Sequence, residues 1–369
     1  MSFRSRGVQL GVAAVAATAI AAFSAGTPAA SAADQAHAHR AGHVIGSAAR
    51  PVDKAAVLAY WTLARLRAAK PLDVITAGAR PPAHPVVLHP TGKAGHITGG
   101  APHVHTRVPV LPSHVRPADY PFPYDSFNVP VSDYTSYPFS MNGRLFFTNN
   151  GAGYSCSATS VGSHNGTGNE NEIWTAGHCL VNTEAGNQVV DSSAVFIPAY
   201  NGNSSNFDPF GEFVWDGGWE TTTAWYYNRD LSEDEAAMEV GNSTSNGQTL
   251  GWNVGWDGFA WNEPVSEFFT AFGYPAGSPY DGTSMVIDFA STGGQDGNFG
   301  ANPVAPIAIG NPMTGGSSGG AWNIGWSTSG SGWINGHNDY KYGSQPLAMY
   351  SPYQDSLSNV VRCFGASSC

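Results

Sequence analysis

From Tyr120 to Cys369 the chain is a succession of short apolar and aromatic runs, each cut off by Gly, Asn or Pro before it can reach helical length. Among them are "GRLFFT", "EIWTA", "SAVFIPAY", "GEFVW", "AAMEV", "SMVIDFA" and "SGWING". Runs of this length between turn-forming residues read as strands. No stretch after residue 120 keeps a helical period, except at the last residues. This pattern limits the region to an all-β barrel or sandwich. No repeat of fixed period is present.

The front third is a different kind of chain. Residues 1–119 hold 12 Lys+Arg and 4 Asp+Glu, a balance of +8, whereas residues 120–369 hold 4 and 23, a balance of −19. Nine of the 12 histidines lie before residue 120. A boundary near 115–125 follows. An acidic main region argues against a nucleic-acid partner, because phosphate binding needs clustered Lys and Arg. It also gives the basic front segment an electrostatic reason to dock on it.

Residues 1–32 read as a signal peptide. Arg4 and Arg6 precede an apolar run from Val8 to Phe23, and Ala30–Ala32 offers a small-residue cleavage site. No later stretch is apolar enough to span a bilayer, so an exported, secreted protein with no membrane segment in its mature form is expected. Residues 33–119 read as a cleavable pro-segment. One helix stands out there, "PVDKAAVLAYWTLARLRAAKP", with Asp53 as cap and Pro71 as terminator. Val57, Leu58, Trp61 and Leu66 fall near one face, and a lone helix of this kind needs a surface to pack on. The histidines of this segment, such as His37/His39 and His103/His105, are expected to be scattered surface residues rather than metal ligands.

Export permits disulfides. Cys156, Cys179, Cys363 and Cys369 are the four cysteines. They allow three pairings, and the residues alone do not choose among them. No Cys-x-x-Cys spacing points to a metal.

Three stretches carry chemistry. In "WTAGHC", His178 follows a strand-like run, where a rigid frame can hold a base. In "DLSEDEAAMEV", Asp234 precedes an apolar run that would shield its carboxylate, as suits a residue that orients a histidine; Asp230 is the competing choice. In "MTGGSSGGAW", a serine nucleophile at Ser318 has Gly316 two positions before it. The N–H groups of Gly316 and Ser318 can then form an oxyanion hole, in which losing one donor typically costs roughly 3–4 kcal/mol of barrier. Ser317 as nucleophile would place Gly315 at the donor position. The stretch also satisfies Gly-x-Ser-x-Gly, the elbow of α/β-hydrolases. That fold requires an acid and then a histidine after the serine, but only His337 follows, with little room for an acid between.

The order His178, Asp234, Ser318 is that of the chymotrypsin triad. "TAGHC", "DEAA", "GYPAGSPYDG" and "MTGGSSGGAW", in this order, resemble a chymotrypsin-fold serine peptidase, most closely the secreted bacterial branch with the glutamyl endopeptidases. "AYWTLARLRAAKP" resembles the pro-segment helix of bacterial members. The resemblance covers residues 120–369 well and the pro-segment weakly. It implies two six-stranded antiparallel β-barrels with the site between them, protein or peptide substrates, a monomer and no cofactor or metal. It also implies a Cys156–Cys179 bridge, leaving Cys363–Cys369 as a short terminal loop. The residue before the nucleophile is Ser317, where digestive zymogens carry an aspartate, so activation is expected to come from loss of the pro-segment. Pro312 stands where trypsin-type enzymes place the aspartate that selects Arg or Lys. His337, in "INGHNDY", resembles the histidine that binds an acidic side chain in glutamyl-specific members. Thr314 and Asn338 complete the expected substrate-binding set, and cleavage after Glu or Asp is the resulting expectation.

A second reading is a secreted β-rich carbohydrate-binding protein, or a peptidase fold without activity. It rests on Trp215, Trp219, Trp225, Trp252, Trp256 and Trp261, whose faces could stack on sugars. Buried core is the more common fate of tryptophan.

Overall fold

The computed structural model describes residues 43–48, 51–76, 90, 92–104, 108–109, 111, 122–163, 170–182, 188–189, 193–298 and 304–364. All belong to the larger of two compact units, 38–369. The expected signal peptide lies outside the described residues, as do His164 and Cys369. Among the described residues no helix is long and apolar enough to cross a membrane.

The strand runs fold as their alternation requires. Asn142–Asn149, Ala152–Val161, Glu172–Thr175, Ala236–Val240, Phe213–Thr222 and Val195–Pro198 pair in that cyclic order, the last returning to the first. Every step is antiparallel, so this is the closed six-stranded barrel expected. Its interior is filled by Leu145, Phe147, Ile173, Phe196, Phe213 and Met238. The second half forms an 11-stranded sheet. Its centre is the run Ala348–Ser351, Ile307–Gly310, Val286–Gln295, Phe268–Gly273, Ala321–Ile324 and Trp333–His337. A register shift at Thr292/Gly294 lets the long Val286–Gln295 strand bend between neighbours. Described helices after residue 120 are short; the last is Ser356–Arg362, capped by Asp355.

The front segment supplies strands to both sheets. Val44–Ser47 pairs with Phe213–Thr222, and Gly95–Ile97 with Gly258–Trp261. Lys70–Pro71 pairs parallel with Ala152–Val161, and Val74–Thr76 parallel with Tyr340–Tyr342.

The expected front helix is two helices, Lys54–Tyr60 and Leu63–Ala68. Asp53 caps the first, as its position predicts. The break at Trp61 has a local cause. Thr62 is extended and caps the second helix, which turns Trp61 inward. Trp61 is 2% exposed, its Nε1 donates to the Ser193 carbonyl at 2.6 Å, and its ring meets Phe146. Val57 and Leu66 are buried with it. Burying one such side chain contributes about 1.5–3 kcal/mol, which supplies the packing surface a short helix needs.

Candidate active site

His178 sits in the 3₁₀ turn Gly177–Cys179, two residues past the barrel strand Glu172–Thr175. The turn is bolted to the neighbouring strand by the Cys156–Cys179 disulfide, with Cα atoms 6.1 Å apart. Cys363 is also disulfide-bonded.

Asp234 ends the turn Leu231–Glu233 and opens the strand Ala236–Val240. It holds the histidine twice. Its Oδ2 lies 2.9 Å from His178 Nδ1, and its Oδ1 accepts the His178 backbone N–H at 2.6 Å. Both residues are buried. Gly177 is required where the two meet, since a Cβ there would stand 2.7 Å from Asp234 Oδ1 and from the Trp225 ring. Asp230 is engaged elsewhere: it caps the Leu231–Glu233 turn and accepts from the Ser232 N–H and hydroxyl.

The sequence reading missed a third member. Asp339 Oδ1 lies 3.3 Å from His178 Nδ1, and Asp339 is buried. The imidazole and both carboxylates offer atoms within 4.8 Å of one another. Burial disfavours the imidazolium, but the charge and hydrogen bond of Asp234, with a hydrogen bond to Asp339, outweigh it and push His178 up to about 10. Burial and the Asp234 charge push Asp339 well above the usual carboxylate range. The only hint in the sequence was an aspartate two residues after His337, between strand-like runs.

Ser318 lies in the loop 311–320, held from behind. Gly316 and Gly319 have φ of +94° and +82°, a conformation that favours glycine. Asn338 staples this loop. It is completely buried; its Nδ2 donates to the carbonyls of Phe272 at 2.8 Å and Ser317 at 3.2 Å. Its Oδ1 accepts from Asn311 and Trp322, and its backbone exchanges bonds with Gly319 and Gly320. Ser317 Oγ is turned away and donates to the Thr314 carbonyl at 2.8 Å. Ser157 ties the loop to the barrel: its hydroxyl donates to Gly316 O and its N–H to Ser318 O.

The expected substrate-binding residues are not gathered around an opening. His337 is 0% exposed, and its Nε2 donates to the Asp234 backbone carbonyl at 2.9 Å. Burial pushes it down to about 4, so the ring is neutral. Thr314 is half-buried and its hydroxyl donates to the Gly277 carbonyl at 2.7 Å. Asn338 is used up by the staple. These three residues bond to the frame, and His337 Nδ1 makes no hydrogen bond to a described residue.

No protein-family model and no curated protein sequence matches the chain. Solved structures do. A protease, Anisep, from Arthrobacter nicotinovorans is 33% identical over 62% of this chain and 96% of its own, with a TM-score of 0.53. A thermostable serine protease, AL20, from an extremophilic microorganism is 27% identical over 65% of this chain and 100% of its own, also with a TM-score of 0.53.

The chain belongs to the chymotrypsin-fold serine peptidases. Within that fold His178 and Asp234 come from the closed barrel, whereas Ser318, Asn338 and Asp339 come from the second half; Asp339 reaches His178, and the Ser318 carbonyl accepts the N–H of the barrel residue Ser157. The peptidase frame also disposes of the tryptophans. Trp215, Trp219 and Trp225 are core residues. Trp252, Trp256 and Trp261 are half-buried beneath the front segment, stacked on His103 or pressed against Gly100 and Gly95. A Cβ at Gly100 would stand 2.1 Å from the Trp256 ring, so only glycine allows that approach.

Proposed function

We propose that the protein is an exported serine endopeptidase, made with a leader (1–32) and a pro-segment (33–119) ahead of a peptidase domain (120–369). In this reading His178 is the general base and then acid, Asp234 orients it, and Ser318 forms the acyl-enzyme. Gly316 and Ser318 supply the oxyanion N–H groups. The single observation that carries it is the pair of bonds from Asp234 to His178, one to the ring and one to the backbone. Together they fix the ring so that Nδ1 carries its proton toward the acid and Nε2 faces away. His178 Nε2 makes no hydrogen bond to any described residue, so it can take the serine proton whenever the ring, raised to about 10, is unprotonated.

The chemistry is ordinary acyl transfer. Ser318 Oγ attacks the carbonyl carbon while its proton passes to Nε2. The N–H groups receive the oxyanion. The imidazolium then gives its proton to the departing amine, and water repeats the sequence to release the acid. The substrates are proteins or peptides. Preference for Glu or Asp at the cut rested on His337, and the burial of His337 supplies no support for it.

The test is hydrolysis of casein and of a peptide library by the secreted, processed protein. Activity should fall by roughly 10³-fold or more in His178→Ala and in Ser318→Ala. Full activity in either variant would end the reading. Retention on an insoluble polysaccharide, without hydrolysis, would favour the carbohydrate-binding alternative.

A further inference from the structure

One contact of the front segment reaches the reacting groups themselves. The Leu72 carbonyl accepts the Gly316 N–H at 3.0 Å, and Ser318 Oγ donates to the same oxygen at 3.4 Å. Leu72 is half-buried there. Its own N–H donates to the Ser155 carbonyl at 3.0 Å. The neighbouring Asp73 carboxyl accepts the N–H groups of Val74 and Gly315. A carbonyl of the chain itself therefore takes the Gly316 N–H, one of the two donors assigned above to the substrate oxyanion.

The direction of the segment matters more than its presence. Upstream of Leu72, Lys70–Pro71 runs along Ala152–Val161, the strand tied by disulfide to the histidine turn. Downstream, Val74–Thr76 runs along Tyr340–Tyr342. Both pairings are parallel. In acyl transfer the part of a substrate N-terminal to the attacked carbonyl stays on the serine. The part C-terminal to it departs as an amine and takes its proton from the histidine. A productive substrate therefore leads its C-terminal half toward the disulfide-tied strand. Residues 70–76 lead their N-terminal half there.

We propose that residues 70–76 are a built-in strap that crosses the catalytic cleft backwards, filling the oxyanion cradle with the Leu72 carbonyl while keeping the Leu72–Asp73 bond from being cut. The inference rests on the peptidase reading. It goes beyond the expectation of a removable pro-segment by naming the blocking residues, the group they occupy and the reason they survive. The nitrogen of Asp73 is on the wrong side to receive the histidine proton. Ser318 points its hydroxyl at the strap oxygen, and His178 Nε2 is left without a partner. Occupation and protection from cleavage thus come from one feature, reversed polarity. The docked helices hold the strap in place: Trp61 is buried in the barrel side, and Arg67 Nε donates to the Gly202 carbonyl at 2.8 Å.

Two measurements on the full chain test this. The first needs no catalysis. In Ser318→Ala, hydrogen exchange read by mass spectrometry should show slow exchange in peptides covering 70–76 and 313–318, and Pro71-Leu72-Asp73→Gly-Gly-Gly in that background should release both. Fast exchange of 70–76 in the Ser318→Ala chain overturns the strap. The second is labelling by a fluorophosphonate. The intact wild-type chain should label roughly tenfold or more slowly than the triple-glycine chain, the scale expected of an occupant tethered at millimolar effective concentration. Asp73→Ala, a milder change, should fall between them. Equal rates in all three overturn the blocking role. A first cut between Leu72 and Asp73 during activation overturns the reversed polarity. Protected exchange with no labelling of any form, processed protein included, would instead remove the peptidase reading while leaving the seated segment.

Discussion

Asp339 Oδ1 lies 3.3 Å from the same His178 nitrogen that Asp234 approaches at 2.9 Å, so two buried carboxyl groups share one imidazole. Two carboxylates and one imidazolium in a dry site would leave an uncompensated charge, and the group held less closely takes the proton. A protonated Asp339 steadies the pair without adding charge.

The prediction concerns the pH profile of the processed enzyme. Asp339→Asn preserves shape and neutrality, so the acid limb of kcat/KM should stay in place. Were Asp339 ionised, losing its charge would lower His178 and move that limb to lower pH by about one unit or more. Asp339→Ala leaves a gap beside Asp234 and should cost about 1–3 kcal/mol of barrier, with rescue by asparagine marking a positioning role.

His337 donates to the Asp234 carbonyl from a fully buried position. His337→Phe removes that donor and leaves a buried carbonyl unpaired, at a cost of about 1–3 kcal/mol. Stability and kcat should fall together. The ratio of cleavage rates after Glu and after Leu should not change. A selective loss of cleavage after acidic residues would show that His337 reads the substrate after all.

The Asn338 staple predicts a loss of a different kind. Asn338→Ala frees two carbonyls and two donors around the nucleophile loop. The thermal midpoint should drop, and kcat should fall more than KM rises, because the oxyanion N–H groups lose their fixed direction. Asn338→Asp should not rescue it, since a carboxylate cannot donate to Phe272 and Ser317.

Stability should be greatest in weak acid. Burial, with the charge of Glu172, pushes Glu220 from 4.5 up to about 9, and burial pushes Asp257 from 3.8 up to about 7. Groups raised in the folded state contribute stability that is full below their unfolded pKa and is lost as pH rises through the folded one. For Glu220 that window runs from 4.5 to about 9. His337 acts in the opposite sense: lowered from 6.5 to about 4 by burial, it contributes stability that is lost as pH falls between those values. The thermal midpoint should therefore be higher near pH 5.5 than near pH 9. Glu220→Gln, neutral at every pH, should narrow that difference; an unchanged difference would contradict the assignment.

Much of this was legible in the sequence because it depended on local pattern. Short runs bounded by turn residues became strands, Asp53 became a cap, and His178, Asp234 and Ser318 lie in loops whose glycines and flanking strands announce them. What was not legible depended on distant pairing. Asp339 drew no notice in the sequence; the chain beyond the Trp333–His337 strand brings it to the His178 ring. His337 carried a family role by position, yet the packing of Trp174 and the Asp234 carbonyl around it decides what it can touch. The burial of Trp61 is completed by a partner, Ser193, that lies 132 residues away. Backbone contacts of Leu72 leave no trace in residue type at all.

The central claim is that Ser318, and not Ser317, is the nucleophile. The most direct measurement is mass spectrometry of the processed protein after reaction with a fluorophosphonate, with the adduct located within 313–322. A single adduct on Ser318, absent in Ser318→Ala and kept in Ser317→Ala, is the predicted result. An adduct on Ser317, or labelling that survives Ser318→Ala, would contradict it.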